Sequence, residues 1–367
     1  MTHKVISEEE IVRCMKCSKC QAVCPVYKQI GRESQVARGK IRLAKALLEG
    51  DVEPQETVDA IFACTLCGAC TTECPSLVAT SEVLADARAD LVRSGVNLPE
   101  GLQAVRKGIN EEGNPFGQPR AERGSWLDAD IVNKPSETLY FAGCNVSYSS
   151  NKIAKSLFRI LDKVGFDYTA AGSEETCCGD PLWRAGDRQG FEVVREANIA
   201  KWRELGVKRV FSTCPGCVNA FRQHYPTDEF EFVHVTELLA QLVADGSLTF
   251  RKSLDKTVAY HDGCDLGRHM GIYDAPREVL KAIPGIKLIE FPRNREDAAC
   301  CGGPLLASDA DLSRKIAADR IKEAEGVGAE LIVTSCGQCM VTLRDGARSI
   351  DSGVTVQDLP LVLQRLV

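Results

Sequence analysis

The chain has 367 residues, with 45 Lys+Arg against 51 Asp+Glu, a net charge of −6 and 44% hydrophobic content. That length fits two or three domains with full cores, and the mild acidity argues against a nucleic-acid protein, which needs a basic footprint. No apolar run approaches the roughly 18 residues of a membrane span, and the polar start MTHKVISEEE lacks a secretion signal. A cytoplasmic location follows as the expectation, with any membrane attachment made through a partner.

Eighteen cysteines against five histidines set the chemistry. Disulfide frameworks belong to short secreted scaffolds, so a long chain of this kind points to metal held by sulfur. Two runs open the chain. Cys14-x2-Cys17-x2-Cys20-x3-Cys24-Pro25 and Cys64-x2-Cys67-x2-Cys70-x3-Cys74-Pro75 each match the bacterial ferredoxin run. Three closely spaced thiolates wrap one [4Fe–4S] cube, and the fourth, turned away by Pro, reaches the other cluster. This assigns Cys14, Cys17, Cys20 and Cys74 to one cluster, and Cys64, Cys67, Cys70 and Cys24 to the second. Structural zinc also takes four cysteines, but usually as two separated pairs. Between the runs Glu33 to Leu48 is helix-prone, with Val36, Ile41, Ala44 and Leu48 apolar. Ser81 to Ser94 reads as a capped helix with Leu84, Ala87 and Leu91 on one side and Gly95 as its stop. No strand pattern is visible, so residues 1–112 read as an all-α domain organised around two clusters.

The stretch Gly113-Asn114-Pro115-Phe116-Gly117-Gln118-Pro119 is turn-rich, and residues 113–135 read as a linker. Beyond it the sequence repeats. Cys144 recurs as Cys264, Cys177-Cys178 as Cys300-Cys301, and Cys214/Cys217 as Cys336/Cys339, at offsets of 120, 123 and 122 residues. A near-constant offset indicates duplicated lobes, here 136–250 and 251–367. Short β-prone runs (138–142, 207–212, 257–260 and 330–334) each precede a cysteine loop. Helical patterns lie between them: Ile153, Leu157, Leu161 and Val164 before Gly165, and Leu312, Ile316, Ile321 and Ala324. Strands alternating with helices imply α/β lobes with parallel sheets, whose ligands sit at the carboxyl ends of the strands.

Each lobe offers five cysteines: Cys144, Cys177, Cys178, Cys214 and Cys217, then Cys264, Cys300, Cys301, Cys336 and Cys339. Five thiolates exceed what one cube or one zinc requires. An extended cluster with one bridging sulfur would use them, and Gly179 and Gly302 would let the backbone turn sharply beside it. Spacing alone does not name the metal, so one lobe could instead hold a relay cluster or zinc.

The pattern resembles the CCG cysteine-rich domains of heterodisulfide reductases. The whole plan resembles the D subunit of those enzymes, a helical two-cluster ferredoxin domain fused to two CCG lobes. The iron–sulfur subunits of glycolate oxidase and of lactate-utilisation enzymes are similar. The resemblance implies one or two noncubane [4Fe–4S] clusters on the two sets of five cysteines, with Cys177, Cys178, Cys300 and Cys301 at the reacting centre, and cleavage of a disulfide between the lobes. It differs at His261-Asp262-Gly263-Cys264, where related sequences carry proline in place of Gly263.

His261 and His269 flank Cys264, and either could deliver a proton to a departing thiolate. A loop histidine bonded to backbone is the ordinary reading of both. Arg38 and Lys40 could raise a cluster's potential or meet an acidic partner, although such charges are more often a solvated helix face. His3, His224 and His234 carry no motif and read as structural, and Trp183 and Trp202 as packing in the first lobe. Phosphate-loop, dinucleotide, zincin and nucleophile-elbow motifs are absent from the sequence. The expected function is therefore an iron–sulfur oxidoreductase subunit that passes electrons through two cubanes to the CCG lobes to reduce a disulfide. Its expected partners are a flavoprotein dehydrogenase or a membrane cytochrome or quinone-reactive subunit, with no nucleic acid. The alternative is a non-catalytic relay from a flavin-dependent glycolate- or lactate-type dehydrogenase to a quinone or cytochrome; a cluster-bearing redox sensor is a third reading.

Overall fold

The computed structural model describes residues 6–367; His3 lies outside them. The N-terminal region carries α1 (Glu8–Val12), α2 (Cys20–Val23), α3 (Pro25–Ile30), α4 (Ala37–Glu49), α5 (Pro54–Phe62), α6 (Ala69–Thr72), α7 (Thr80–Arg93) and α8 (Glu100–Glu112). Among the described residues no strand precedes Thr138. The stripe Ile41, Ala44 and Leu48 of α4 is buried against Val58, Ile61 and Phe62 of α5 and Leu84, Ala87 and Leu91 of α7. Each large side chain so buried contributes about 1.5–3 kcal/mol, while Val26 of α3 and Ala69 of α6 are buried in separate clusters against the second lobe. The predicted helix at 33–48 begins later, because Glu33–Gln35 forms a separate 3-10 turn before α4.

The first lobe follows with β1 (Thr138–Tyr140), α9 (Gly143–Tyr148), α10 (Lys152–Lys163), α11 (Asp180–Arg184), α12 (Arg188–Glu204), β2 (Arg209–Ser212), α13 (Pro215–His224), β3 (Glu231–His234) and α14 (Val235–Ala244). The second has β4 (Thr257–Tyr260), α15 (Asp274–Lys281), β5 (Lys287–Ile289), α16 (Ala310–Gly326), β6 (Leu331–Thr334), α17 (Gly337–Ser349), β7 (Thr355–Asp358) and α18 (Leu359–Leu363). Both sheets are parallel, ordered β1-β2-β3 and β5-β4-β6-β7. An isolated bridge from Leu139 to Thr169 stands where β5 pairs with β4. The four predicted strands are β1, β2, β4 and β6. Those missed are β3, β5 and β7, short strands at sheet edges where polar residues break the apolar pattern.

The lobes pack through equivalent helices. α10 lies on α18, and α15 lies on α14. Because α10 and α15 follow the first strand of each lobe, and α14 and α18 follow the last, the contact is reciprocal, the pattern of a twofold interface. One apolar cluster runs across it, from Tyr140, Phe211 and Val233 to Val258, Ile332 and Val333. No helix among the described residues is long and apolar enough to cross a membrane.

The segment read as a linker is not free. Asn114 and Arg123 are buried; Ala170 N–H and the Thr169 hydroxyl donate to the Ile131 carbonyl, Asn133 N–H donates to the Ala170 carbonyl, and a short bridge joins Val132 to Ala170. It forms a strap over the first lobe because its polar groups find partners there rather than in water.

Candidate metal centres

In the N-terminal runs, alternate residues adopt left-handed backbone. Lys16 and Ser18 have φ of 60° and 73°, and the matching Leu66 and Gly68 have 53° and 75°. Curling the chain in this way turns successive thiols toward one centre. Cys14, Cys17, Cys20 and Cys74 line one small cavity, and Cys24, Cys64 and Cys67 line another; Cys70 touches both. The charges sort Cys70 to the second cavity: burial pushes its thiol well up, and the thiols of Cys64, Cys67 and Cys24 add to the rise. Burial likewise pushes the Cys24 thiol up to about 12, reinforced by Cys64 and Cys67. Cys24 thus leaves its own run for the other. The first cavity is the outer one, since Cys17 is exposed while Cys67 is buried.

Cys144, Cys214, Cys264 and Cys336 follow closely on the carboxyl ends of β1, β2, β4 and β6. Gly179 and Gly302 have φ of 89° and 83°, a region favouring glycine. A methyl on Gly179 would lie 2.5 Å from Phe191, and one on Gly302 would lie 2.6 Å from the Ser313 carbonyl. Nine of the ten lobe cysteines line one cavity of about 230 Å³ between the lobes. The exception is Cys300, which turns outward and meets Cys67 of the N-terminal region. That contact sets the Cys67 thiol well below its usual range, against burial, which acts to raise it. Crowding does the opposite elsewhere: Cys144, in contact with Cys177, is pushed well up, as is Cys217 by Cys178 and Cys214. Thiols that resist ionisation when crowded are relieved by a bound cation. Cys301 and Cys339 approach to 3.2 Å. A larger cavity, about 750 Å³, lies elsewhere on the lobes and has no cysteine in its lining.

Backbone amides face the sulfurs. Gly179 and Gly302 N–H donate to Cys177 and Cys300 at 3.4 and 3.3 Å, and Cys339 N–H donates to Cys336 at 3.4 Å. In the N-terminal region Tyr27 and Leu66 N–H do the same to Cys24 and Cys64, both at 3.4 Å. All eighteen cysteines are free thiols. An all-sulfur donor set with amide donors around it suits iron–sulfur clusters.

Several neighbours were not legible in the sequence. Buried Arg123 donates to Cys144 Sγ at 3.1 Å and to Glu175 at 2.5 Å, and Glu175 accepts from the amides of Ala142 and Gly143 at 2.8 and 3.0 Å. Arg184 joins Asp180 and Asp265 across the lobes at 2.7 and 2.5 Å. Arg268 donates to the carbonyls of Cys67, Ala298 and Glu296 at 2.6, 2.6 and 3.0 Å. None recurs at the duplication offset, which is the signal that found the cysteines.

The histidines divide. His269 bonds the Leu66 carbonyl at 3.0 Å, the backbone role expected of it. His261 departs from that reading. Its ring is buried, accepts from Arg320 at 3.3 Å, and lies with the thiols of Cys301 and Cys339 in one group within 4.8 Å. Proline is not needed in its loop, since Asp262 is clamped by Arg277 at 2.7 and 2.9 Å. His234 caps α14, and His224 packs on Trp183 with ring centres 3.9 Å apart. Trp202 is buried among aromatic rings of the first lobe. Arg38 holds the outer run through Lys16 O and Ser18 near the surface. Lys40 is the second correction: it is not solvated but 1% exposed, because Gly39 lets α4 close onto the Glu33 backbone and turns the next residue inward.

Comparison with known proteins matches a 4Fe-4S dicluster domain over residues 10–78 and a cysteine-rich domain, CCG, twice, over 138–222 and 258–344. The D subunit of the dihydromethanophenazine:CoB--CoM heterodisulfide reductase of Methanosarcina mazei is 35% identical over 95% of this chain and 92% of its own length. The chain belongs to the family of heterodisulfide reductase D subunits. As a member of that family it is an iron–sulfur electron-transfer subunit of an oxidoreductase, with two [4Fe–4S] clusters in its dicluster domain. The same architecture also occurs within longer proteins. The probable iron-sulfur-binding oxidoreductase FadF of Bacillus subtilis is 33% identical over 90% of this chain and 49% of its own length. The EtfAB:quinone oxidoreductase of Syntrophomonas wolfei is 30% identical over 92% and 55%.

Proposed function

We propose that this chain reduces a disulfide in the cavity between its CCG lobes, using electrons that arrive at the outer thiolate site. The observation that carries the reading is the shared cavity, lined by nine lobe cysteines, with Cys300 outside it and packed, beside Cys264, against Cys67 of the N-terminal region. The proposed ligands are Cys14, Cys17, Cys20 and Cys74 outside, and Cys24, Cys64, Cys67 and Cys70 inside. Noncubane [4Fe–4S] clusters would be held by Cys144, Cys177, Cys178, Cys214 and Cys217, and by Cys264, Cys300, Cys301, Cys336 and Cys339. When bound, the clusters supply single-electron transfer.

The chain's own residues order the sites. Cys17 is exposed at one end, Cys67 meets Cys300 in the middle, and the inter-lobe cavity lies at the other. Reducing a disulfide breaks one S–S bond and takes two electrons and two protons to give two thiols. A cavity flanked by duplicated thiolate sets offers each sulfur its own site. Arg268 and His269 fasten the second lobe to the Leu66–Cys67 backbone, and Arg123 closes the first lobe over Cys144.

The name of the EtfAB:quinone oxidoreductase favours a second reading, a relay serving a flavoprotein partner and a quinone or cytochrome partner, with any membrane contact made by that partner. Iron, sulfide and zinc assayed on anaerobic protein test the ligand sets. Four four-iron sites give about sixteen irons, whereas about eight after reconstitution would remove the lobe clusters. Disulfide reduction by the loaded chain with an artificial donor supports the first reading. Its absence, alongside electron transfer from a flavoprotein to a quinone analogue, supports the second.

A further inference from the structure

The two N-terminal thiolate sites differ in buried charge. Lys40 Nζ donates to the Ala60 carbonyl and, at 3.2 Å, to Gln35 Oε1. It lines the inner cavity with Cys24, Cys64, Cys67 and Cys70. Arg88, 5% exposed, donates to the carbonyls of Ile61, Phe62 and Cys64, and to Arg184 O at 2.8 Å. Every hydrogen bond described for these two side chains goes to a neutral acceptor, and no ion pair is described for either. Burial of an uncompensated charge costs several kcal/mol. Lys40 interacts electrostatically with the sulfurs of Cys64, Cys24 and Cys70, which share its cavity. The outer site has a different cation: Arg38 is ion-paired to Glu33 and lies at the surface.

We infer that the Lys40 ammonium, with Arg88 behind it, holds the inner iron–sulfur site at a more positive potential than the outer one. The inference rests on both sites carrying [4Fe–4S] clusters. A thiolate-ligated cluster gains negative charge when reduced, and fixed positive charge in a buried, low-dielectric position favours that form. The charge difference then directs electrons inward, toward Cys67 and Cys300. Lys40 is a positioning residue here, since it ligates nothing.

The test is a redox titration of the loaded full-length chain followed by electron paramagnetic resonance, with the outer signal assigned through Cys17→Ser. The wild-type inner site is expected at the more positive potential. In Lys40→Gln, which keeps a donor for the Ala60 carbonyl, the inner signal should move to more negative potential while the outer one stays. Lys40→Arg should restore most of the shift. An inner site at or below the outer potential in the wild type overturns the inference without any variant, as does a Lys40→Gln signal that does not move or that moves equally at both sites. Iron content measured on the same samples separates these outcomes from failure to bind the clusters.

Discussion

The two lobes share one pattern of cysteines and each has its own parallel sheet, but they are anchored to the rest of the chain by different means. In the first lobe, the turn after β1 is closed by the strap: Arg123 reaches Cys144 and Glu175, and Tyr148 donates to Pro119 O at 3.4 Å. In the second, the residue equivalent to Tyr148 is Arg268, which ties the Ala298 and Glu296 carbonyls of its own lobe to the Cys67 carbonyl of the N-terminal region. Duplication supplied two equivalent thiolate cradles, and single unduplicated arginines made one covered and the other docked. The difference teaches that metal sites and their connections are encoded separately.

The largest effect should come from the covered lobe. Arg123→Ala leaves Glu175 buried without its cation, and breaking such a pair costs about 3–5 kcal/mol. Chemical denaturation of the anaerobic protein measures this, and a loss below about 1 kcal/mol would mean the strap does not stabilise the lobe. The duplicated glycines sharpen the comparison. Gly302→Ala should cost about 2–4 kcal/mol, since left-handed backbone is combined with overlap against the Ser313 carbonyl. Gly179→Ala meets the edge of the Phe191 ring instead and should cost less; equal losses would show that the two turns are equally constrained.

At the equivalent anchoring positions, Arg268→Ala should cost about 1–3 kcal/mol through unsatisfied carbonyls, and Tyr148→Phe under about 1 kcal/mol. Faster amide exchange at Leu66–Cys67 in Arg268→Ala alone would confirm the docking role, and unchanged exchange would remove it. A separate effect, absent at neutral pH, concerns acid. Burial against Trp183 lowers the His224 pKa from 6.5 to about 4. The unfolded chain then takes up this proton at higher pH than the folded one, so stability is lost as pH falls from about 6.5 to about 4. His224→Gln should flatten that part of a stability-against-pH curve measured beside the wild type, and an unaltered slope would assign the acid sensitivity elsewhere.

The sequence by itself determined the cysteines and their spacing. Spacing in the two runs, the Cys-Cys-Gly repeats and a constant offset are local or periodic features, and local backbone preferences decide them. The exchange of Cys24 between runs was legible for this reason, because Pro25 starts a new helix directly after it. The apolar strands β1, β2, β4 and β6 were legible too, whereas edge strands such as Thr355–Asp358 were not, because their alternation is too short and polar. Only the tertiary structure decided which charges lie inside. Lys40 looks like any helix-surface lysine until Gly39 presses α4 onto the Glu33 backbone. Arg123 lies in a turn-rich segment whose burial depends on a carboxylate 52 residues away, and His261 meets Cys301 and Cys339 only when three loops converge. Burial and partnership across long separations are properties of packing, and no periodicity in the sequence records them.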